Sequence, residues 1–302
     1  MRKNDIKAKI YFLNRRRAMR QKTSAFHKIV RDILYCVILC ILLVLGMDAI
    51  TSQSRYGRLR TSVLESEGFR RQRMDTGMLD YICKTEAPGR ELGLYWLENK
   101  FCQEAFRYPY AGETFQKLER IWSKKQGWEE YCMRCEAIWD ELQYFPVPEP
   151  SNQTEMEVTF EDSWMFERNY GGKRGHEGTD IMASTNERGV YPIVSMTDGT
   201  VLHKGWLEQG GYRLGITAPG GAYFYYAHLD SYTDVEEGDV VKAGDLLGFM
   251  GDTGYSEVEG TTGNFPVHLH VGIYLVLEDQ EISVNPYYPL RYLEGRKIKC
   301  AY

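Results

Sequence analysis

Residues 267–277 read VHLHVGIYLVL, and this stretch indicates the fold of the C-terminal half of the chain. It is short, apolar and partly β-branched, which is typical of a strand. Its histidines, His268 and His270, stand two residues apart, so on a strand both imidazoles point to one face with their backbones about 6.6 Å apart. One ring is then close enough to hold a metal ion while the other reaches a group bound to that ion.

Similar short runs, separated by glycine turns, fill the sequence from about residue 158 onward. No helical pattern lies between them, which predicts an antiparallel β sandwich or open barrel. The other runs are YPIVSM (191–196), GTVLHKGW (199–206), YRLGITA (212–218), AYFYYAHL (222–229), DVVKAG (239–244) and DLLGFMG (245–251).

Three segments of this β region carry residues of the types that can bind zinc: HEGTD with His176 and Asp180, YYAHLD with His228, and HLH with His268 and His270. A catalytic zinc normally keeps three protein ligands and leaves the fourth position to water or substrate. Five candidates exceed that number, so the surplus residues are expected to handle protons or charge on the substrate.

The surroundings of HEGTD exclude a competing metal motif. The segment GGKRGHEGTD is rich in glycine, so a helix is not expected there, and the second histidine of an HExxH helix is replaced by Asp180. Glu177 is therefore not expected to be the general base of a zincin. His27 and His203 have no partner at ligand-like spacing, and we assign them to the surface or to structural hydrogen bonds.

The N-terminal segment has a different character. Residues 1–32 hold eleven Lys and Arg against two Asp, whereas the chain as a whole has a net charge of -5. The uncharged run ILYCVILCILLVLGM (33–47) follows, and residues 29–50 give 22 positions, enough to cross a bilayer if Arg31 extends to the interface. Flanking positive charge places the N-terminus in the cytoplasm.

We therefore predict a basic cytoplasmic tail over residues 1–32 and an uncleaved transmembrane signal anchor over 33–50, in a single-pass protein of the bacterial cell membrane. A cleaved signal peptide is the alternative, but no small-residue cleavage site follows Gly46. A basic arm for nucleic acid is disfavoured by the apolar run behind it, so no nucleic-acid partner is expected.

We predict that residues 51–145 form a separate, extracytoplasmic helical module, because apolar residues recur there at helical spacing. In its CMRC motif, Cys132 and Cys135 share the apolar face of such a helix, which favours buried core cysteines over a redox or zinc site. A disulfide from one of them to Cys83 or Cys102 is left open for an extracytoplasmic protein. Residues 146–157 form a Pro-rich linker to a domain over 158–302.

The C-terminal segment, from about 158 to 293, resembles the lysostaphin-type, LytM-like zinc peptidases that cut peptide bonds in bacterial cell walls. Five elements carry the resemblance in order: HEGTD, YPIVSMTDGTV, YAHL, VEEGDVVKAGDLLGFMGDTG and HLH, closed by Asn285 and Pro286. The resemblance implies a membrane-anchored zinc endopeptidase acting on peptidoglycan peptides. By it, zinc would be bound by His176, Asp180 and His270, and the catalytic histidines would be His228 and His268.

Two departures from the family pattern concern the groove and its surroundings. Thirteen residues, 255–267, separate Gly254 from His268 where the family has a short turn, so this loop is expected beside the active site. The helical module matches no part of the core peptidase pattern, and it would cover the groove or dock a protein partner of the envelope.

Two rival functions remain open from the sequence. One is a catalytically silent scaffold of the same fold in a cell-envelope assembly. The other is a lipoyl- or biotinyl-type carrier, since EEGDVVKAGDLLG is similar to the turn of that barrel, with Lys204 and Lys242 as the nearby lysines. The strand tyrosines Tyr223, Tyr225 and Tyr226 are assigned to the core by default, with some expected to line a groove.

Overall fold

The computed structural model describes residues 2–56, 59, 61–102, 113–152, 156–278 and 280–302. The chain divides into two units, residues 1–57 and residues 58–302. The first unit is the helix α1, Arg2–Tyr56. Its segment Phe26–Met47, 22 residues, is the only stretch of the described chain that is long and apolar enough to cross a membrane. The apolar core of a signal sequence has the same character.

The second unit begins with short helices, as the apolar spacing predicted. Polar side chains cap two of them, because the Ser66 Oγ accepts a hydrogen bond from the Phe69 amide and the Asp75 carboxylate accepts one from the Met78 amide. The helices are α2 (Glu67–Arg70), α3 (Thr76–Ile82), α4 (Gly89–Glu98), α5 (Glu113–Trp122) and α6 (Trp128–Trp139).

Helix α6 buries the two thiols of CMRC, as predicted. Cys132 and Cys135 are fully buried and free, and burial raises the pKa of both thiols. Cys83 is also free, while the side chain of Cys102 lies outside the described residues. The motif is therefore part of the core.

The strands of the second unit build a mainly antiparallel sheet, as expected, and the segment VHLHVGIYLVL (267–277) supplies a central strand, β12. The bounds are β1 (Glu149–Pro150), β2 (Val158–Phe160), β3 (Glu167–Arg168), β4 (Arg174–Gly175), β5 (Thr179–Ala183), β6 (Pro192–Val194), β7 (Gly199–Leu207), β8 (Gly211–Thr217), β9 (Tyr223–Tyr232), β10 (Val240–Val241), β11 (Leu246–Met250), β12 (His268–Leu277), β13 (Gln280–Val284) and β14 (Lys299–Cys300), with helix α7 (Tyr287–Leu293) between the last two strands.

The order of the main path is β10-β7-β8-β9-β12-β5-β2, with β13 beside β12 and β11 beside both β6 and β9. Strand β9 pairs with β12 from Tyr223 to Ala227 and with β11 from Leu229 to Tyr232. The sheet therefore branches at His228. Outside this sheet, β3 and β4 form a small hairpin, and β1 runs parallel to β14.

The helical segment and the sheet share one hydrophobic core within the second unit. The Trp139 ring of α6 lies 5.9 Å from the Tyr292 ring of α7, and its Nε1 donates to the Gln72 side chain at 2.8 Å. The Pro-rich segment contributes β1, which pairs with the C-terminal strand. The helices are thus a distinct block of the sequence that is packed onto the β domain, while the exact domain boundaries stay predictions.

Candidate metal centre

Three of the five predicted residues form a tight triangle of donor atoms. The Nε2 of His176 lies 3.0 Å from the Asp180 Oδ1 and 3.0 Å from the His270 Nδ1, and the latter two atoms are also 3.0 Å apart. They are the group that could hold a metal ion among the described residues. His270 lies directly opposite Asp180 in the pairing of β12 with β5, so sheet register brings two of the three together.

The donor set fits a zinc ion. Ligands about 2.0–2.2 Å from a tetrahedral centre lie about 3.4 Å apart, close to the sides of this triangle. The Nδ1 of His176 lies 3.1 Å from the Ser163 Oγ and 3.3 Å from the Ser163 carbonyl oxygen. Either oxygen can accept a hydrogen bond from Nδ1, which leaves the Nε2 lone pair of His176 for the ion.

Gly178 in HEGTD is required by the position of the His270 ring. A Cβ at position 178 would lie 2.3 Å from the His270 Cε1 and 2.7 Å from the Val271 carbonyl oxygen. Distances below 3.0 Å are incompatible with an ordinary side chain, so only glycine lets this segment approach β12 closely enough to complete the triangle.

The charge of Asp180 is strongly stabilised. Burial by itself raises the pKa of its carboxyl, but hydrogen bonds from His176 and His270 outweigh burial and hold the pKa well below its usual range. The second oxygen, Oδ2, accepts a hydrogen bond from the Arg168 Nη2. Because Arg168 occupies that oxygen, Asp180 presents a single oxygen to the triangle.

His228 reaches the centre through a β-bulge. Between the pairs Tyr212–Leu229 and Leu214–Tyr226, strand β9 has one residue more than β8, and His228 has a φ of 62°. A positive φ is uncommon for residues other than glycine and persists where the surroundings impose it. Bulges re-aim side chains beside active sites, and this one directs the imidazole into the groove.

The two predicted catalytic histidines are held in the same tautomer. The Nδ1 of His228 donates to the Thr253 carbonyl at 2.7 Å, and the Nδ1 of His268 donates to the Pro266 carbonyl at 2.7 Å. Carbonyls only accept, so each Nδ1 carries a proton, and in the neutral ring the lone pair is on Nε2. The Nε2 of His268 lies 3.7 Å from the Asp180 Oδ1, and the rings of His228 and His268 are 4.7 Å apart. Burial, followed by the neighbouring imidazoles, lowers the pKa of His228 well below its usual value.

A groove of about 730 Å³ contains this centre, and tyrosines line it. Tyr223 and Tyr225 of β9 and Tyr274 of β12 have ring centroids 6.0–6.4 Å apart. Gly215 leaves room for the Tyr223 ring, since a Cβ there would overlap it. Tyr226, in contrast, is buried in the core, where its hydroxyl oxygen accepts a hydrogen bond from the Met196 backbone amide at 2.8 Å.

The long loop 255–267 lies beside the centre, as expected. Its Phe265 ring is 4.6 Å from the His228 ring, and its Tyr255 ring is 6.0 Å from it. Tyr255 also stacks on Tyr170 of the β3–β4 connection, with centroids 4.6 Å apart and planes 3° apart. The loop and the hairpin therefore meet at the groove.

Sequence reasoning missed several lining residues. His203, assigned to the surface or to structure, lines the groove, with its ring 6.0 Å from Tyr223. Strand alternation could not have identified it, because a β-bulge between Val201 and His203 puts His203 opposite Gly215, on the other face of β7 from the buried Val201. No sequence pattern pointed to the arginines of the lining, which are Arg168, Arg174 and Arg213.

Comparisons with known proteins agree with this geometry. The LytM N-terminal domain matches residues 54–141, and Peptidase family M23 matches residues 174–286. A solved structure from Ruminococcus gnavus ATCC 29149, a candidate glycyl-glycine endopeptidase LytM, is 57% identical with a TM-score of 0.78, and the match covers 82% of this chain and 98% of that one. The chain belongs to the M23 peptidase family. The resemblance inferred from its motifs is confirmed.

Curated M23-type relatives match a part of their length. The L-Ala--D-Glu endopeptidase of Bacillus subtilis (strain 168) is 37% identical over 148 residues, which is 49% of this chain and 42% of that relative. The glycyl-glycine endopeptidase ALE-1 of Staphylococcus capitis is 32% identical over 106 residues, covering 31% of this chain and 28% of its own. This chain thus spans less than half the length of these relatives.

Proposed function

We propose that this M23-family chain is a membrane-anchored zinc endopeptidase that hydrolyses peptide bonds of bacterial peptidoglycan. The observation that carries the proposal is the triangle of His176, Asp180 and His270 donor atoms, with the free Nε2 atoms of two further histidines beside it. These three residues would hold the zinc. The family membership and the named activities of the relatives support the substrate class.

A bound zinc would supply a Lewis acid and would lower the pKa of a water molecule toward ~7. The histidines supply the rest of the proposed chemistry. With an unprotonated Nε2, His228 or His268 accepts a proton from the attacking water, or, once protonated, donates a hydrogen bond to the oxyanion of the substrate. The carbonyls of Thr253 and Pro266 hold both rings in the required orientation.

Zymography on isolated cell wall tests the activity. The full chain is expected to clear wall, to lose this ability in a chelator, and to regain it with added zinc. A chain that binds zinc but clears no wall and cleaves no muropeptide would instead support the silent scaffold, which the complete donor set does not favour. The carrier alternative has little support, because Lys204 and Lys242 are held in ion pairs with Glu236 and Asp198.

The anchor and its orientation are part of the proposal. The apolar helix and its basic flank support an N-terminus in the cytoplasm and a peptidase domain outside. Mass spectrometry of the membrane fraction should find the intact N-terminus. A mature chain beginning after the apolar run would show that this run is a signal sequence. A partner bound through the helical module stays a prediction.

A further inference from the structure

The groove lining contains three arginines with buried nitrogen donors that have no acceptor. These atoms are the Nε of Arg168, the Nε of Arg174 and the Nη1 of Arg213. Buried donors in folded proteins nearly always have a partner, and a guanidinium keeps its charge at any physiological pH. Three such donors in one groove indicate an acceptor that is not part of this chain.

The arginines come from two sides of the groove and differ in their engagement. Arg168 and Arg174 are directly opposite each other on the β3–β4 hairpin, a pairing of like charges that is unfavourable without a counter-ion. Arg168 is held by Asp180. Arg174, and Arg213 on β8, have no ion pair among the residues that the structure describes.

The acids of the groove do not neutralise these two arginines. Asp180 is engaged by the metal-site histidines and by Arg168, and Glu177 forms an ion pair with Arg70 at 3.0 Å. Glu281 also lines the groove, and it has no ion pair among the described residues. Two unpaired cations and one unpaired anion leave this part of the lining with a positive charge.

We propose that Arg174 and Arg213 bind carboxylates of the substrate, so that the groove accepts an acidic stem-type peptide in preference to an uncharged glycine bridge. The inference rests on the proposed function and names its substrate class. A guanidinium matches a carboxylate through two parallel, charge-assisted hydrogen bonds, and a carboxylate would supply the acceptor that each buried donor lacks. A polyglycine segment carries no side chain that could do so.

Three peptides test the proposal on the full chain in detergent micelles with zinc: a stem-type peptide with free glutamate carboxylates, the same peptide with these carboxylates amidated, and pentaglycine. The free acid is expected to be cleaved with a kcat/KM about 10- to 100-fold above that of the amidated peptide. In Arg174→Gln and Arg213→Gln this ratio should fall several-fold toward 1. Arg213→Lys should restore part of the preference, and Arg291→Gln, outside the groove lining, should change neither rate.

Binding affinity provides a second measurement, which does not depend on turnover. Calorimetric titration of the His228→Ala variant should give a Kd for the acidic peptide at least 10-fold below that for its amide, and Arg213→Gln should abolish the difference. Equal affinities, or a preference for pentaglycine, would overturn the carboxylate proposal. If wild type cleaves neither peptides nor wall although the binding preference is present, the proposed hydrolysis fails and the carboxylate site stands.

Discussion

At the scale of single residues, the centre depends on how each imidazole is held. His176 and His270 face the Asp180 oxygen, whereas His228 and His268 are fixed through backbone carbonyls on their far nitrogens. The first pair therefore belongs to the triangle of donor atoms that we propose to hold zinc. In the second pair the Nδ1 atoms are bound to carbonyls, and the Nε2 atoms are the ones that we propose to transfer protons.

Alanine substitutions should separate these two pairs. His270→Ala is expected to lose bound zinc, whereas His228→Ala and His268→Ala should keep it and lower turnover by about 10²- to 10⁴-fold, the usual contribution of a general acid or base. Metal content by elemental analysis and single-turnover rates on muropeptides provide the measurement. Equal loss of zinc in all three variants would contradict the assignment of roles.

Gly178 is the second test at this scale. Gly178→Ala forces a Cβ against the His270 ring and the Val271 carbonyl, so zinc affinity is expected to fall at least about 10-fold, as for other changes in the support of metal ligands. Competition with a chelator measures the affinity. Gly295→Ala is the matched control, because a Cβ there has no atom within 4 Å; a similar loss in that variant would remove the steric explanation.

At the scale of elements, the helical segment contacts the segment HEGTD of the candidate metal site. Arg70 of α2 donates from Nε to the Ser283 carbonyl at 2.9 Å and from Nη2 to Glu177, which adjoins His176. The backbone amide of Asn285 in turn donates to the Arg70 carbonyl at 2.7 Å. A helix near the start of the second unit is thus tied to HEGTD and to the end of β13.

Removing this tie should weaken the centre without unfolding it. Arg70→Ala is expected to lower zinc affinity and kcat/KM by about 10-fold, since HEGTD loses its outer support. Arg71→Ala, next in sequence, removes an exposed side chain whose ion pair among the described residues is with Glu67, and it should change little. Chelator competition compares the two, and identical affinities would show that the helix does not position HEGTD.

The sequence predicted the parts of this arrangement that follow from local pattern. The alternation around His268 and His270 identified β12, the helical spacing of Cys132 and Cys135 identified a buried helix, and the family motifs selected the triangle. The contact of Arg70 with Glu177 joins residues more than 100 positions apart, and no local pattern encodes it. The groove arginines were missed for the same reason, because an arginine on a strand is ordinarily a solvated surface residue.

At the scale of the whole molecule, the second unit has one continuous core rather than two. Trp139 lies where α6 meets α7, fully buried, with contacts to Tyr292 and Gln72. A substitution that loosens the packing of the helices should therefore also destabilise the sheet.

Trp139→Ala is expected to destabilise the whole unit by about 3–5 kcal/mol. Thermal unfolding followed by near-UV circular dichroism and by release of zinc should show the two signals shifting together. Met133→Ala, on the exposed face of the same helix, is the control. Separate transitions for helices and sheet would contradict the shared core.

The two thiols on the buried face of α6 can report how often the second unit opens. With their ionised form suppressed and solvent excluded, Cys132 and Cys135 are shielded from alkylating reagents as long as the interior stays closed. Each opening of the helix layer exposes them to maleimide, and a mass-mapped adduct at either position records how often the folded chain visits an open state.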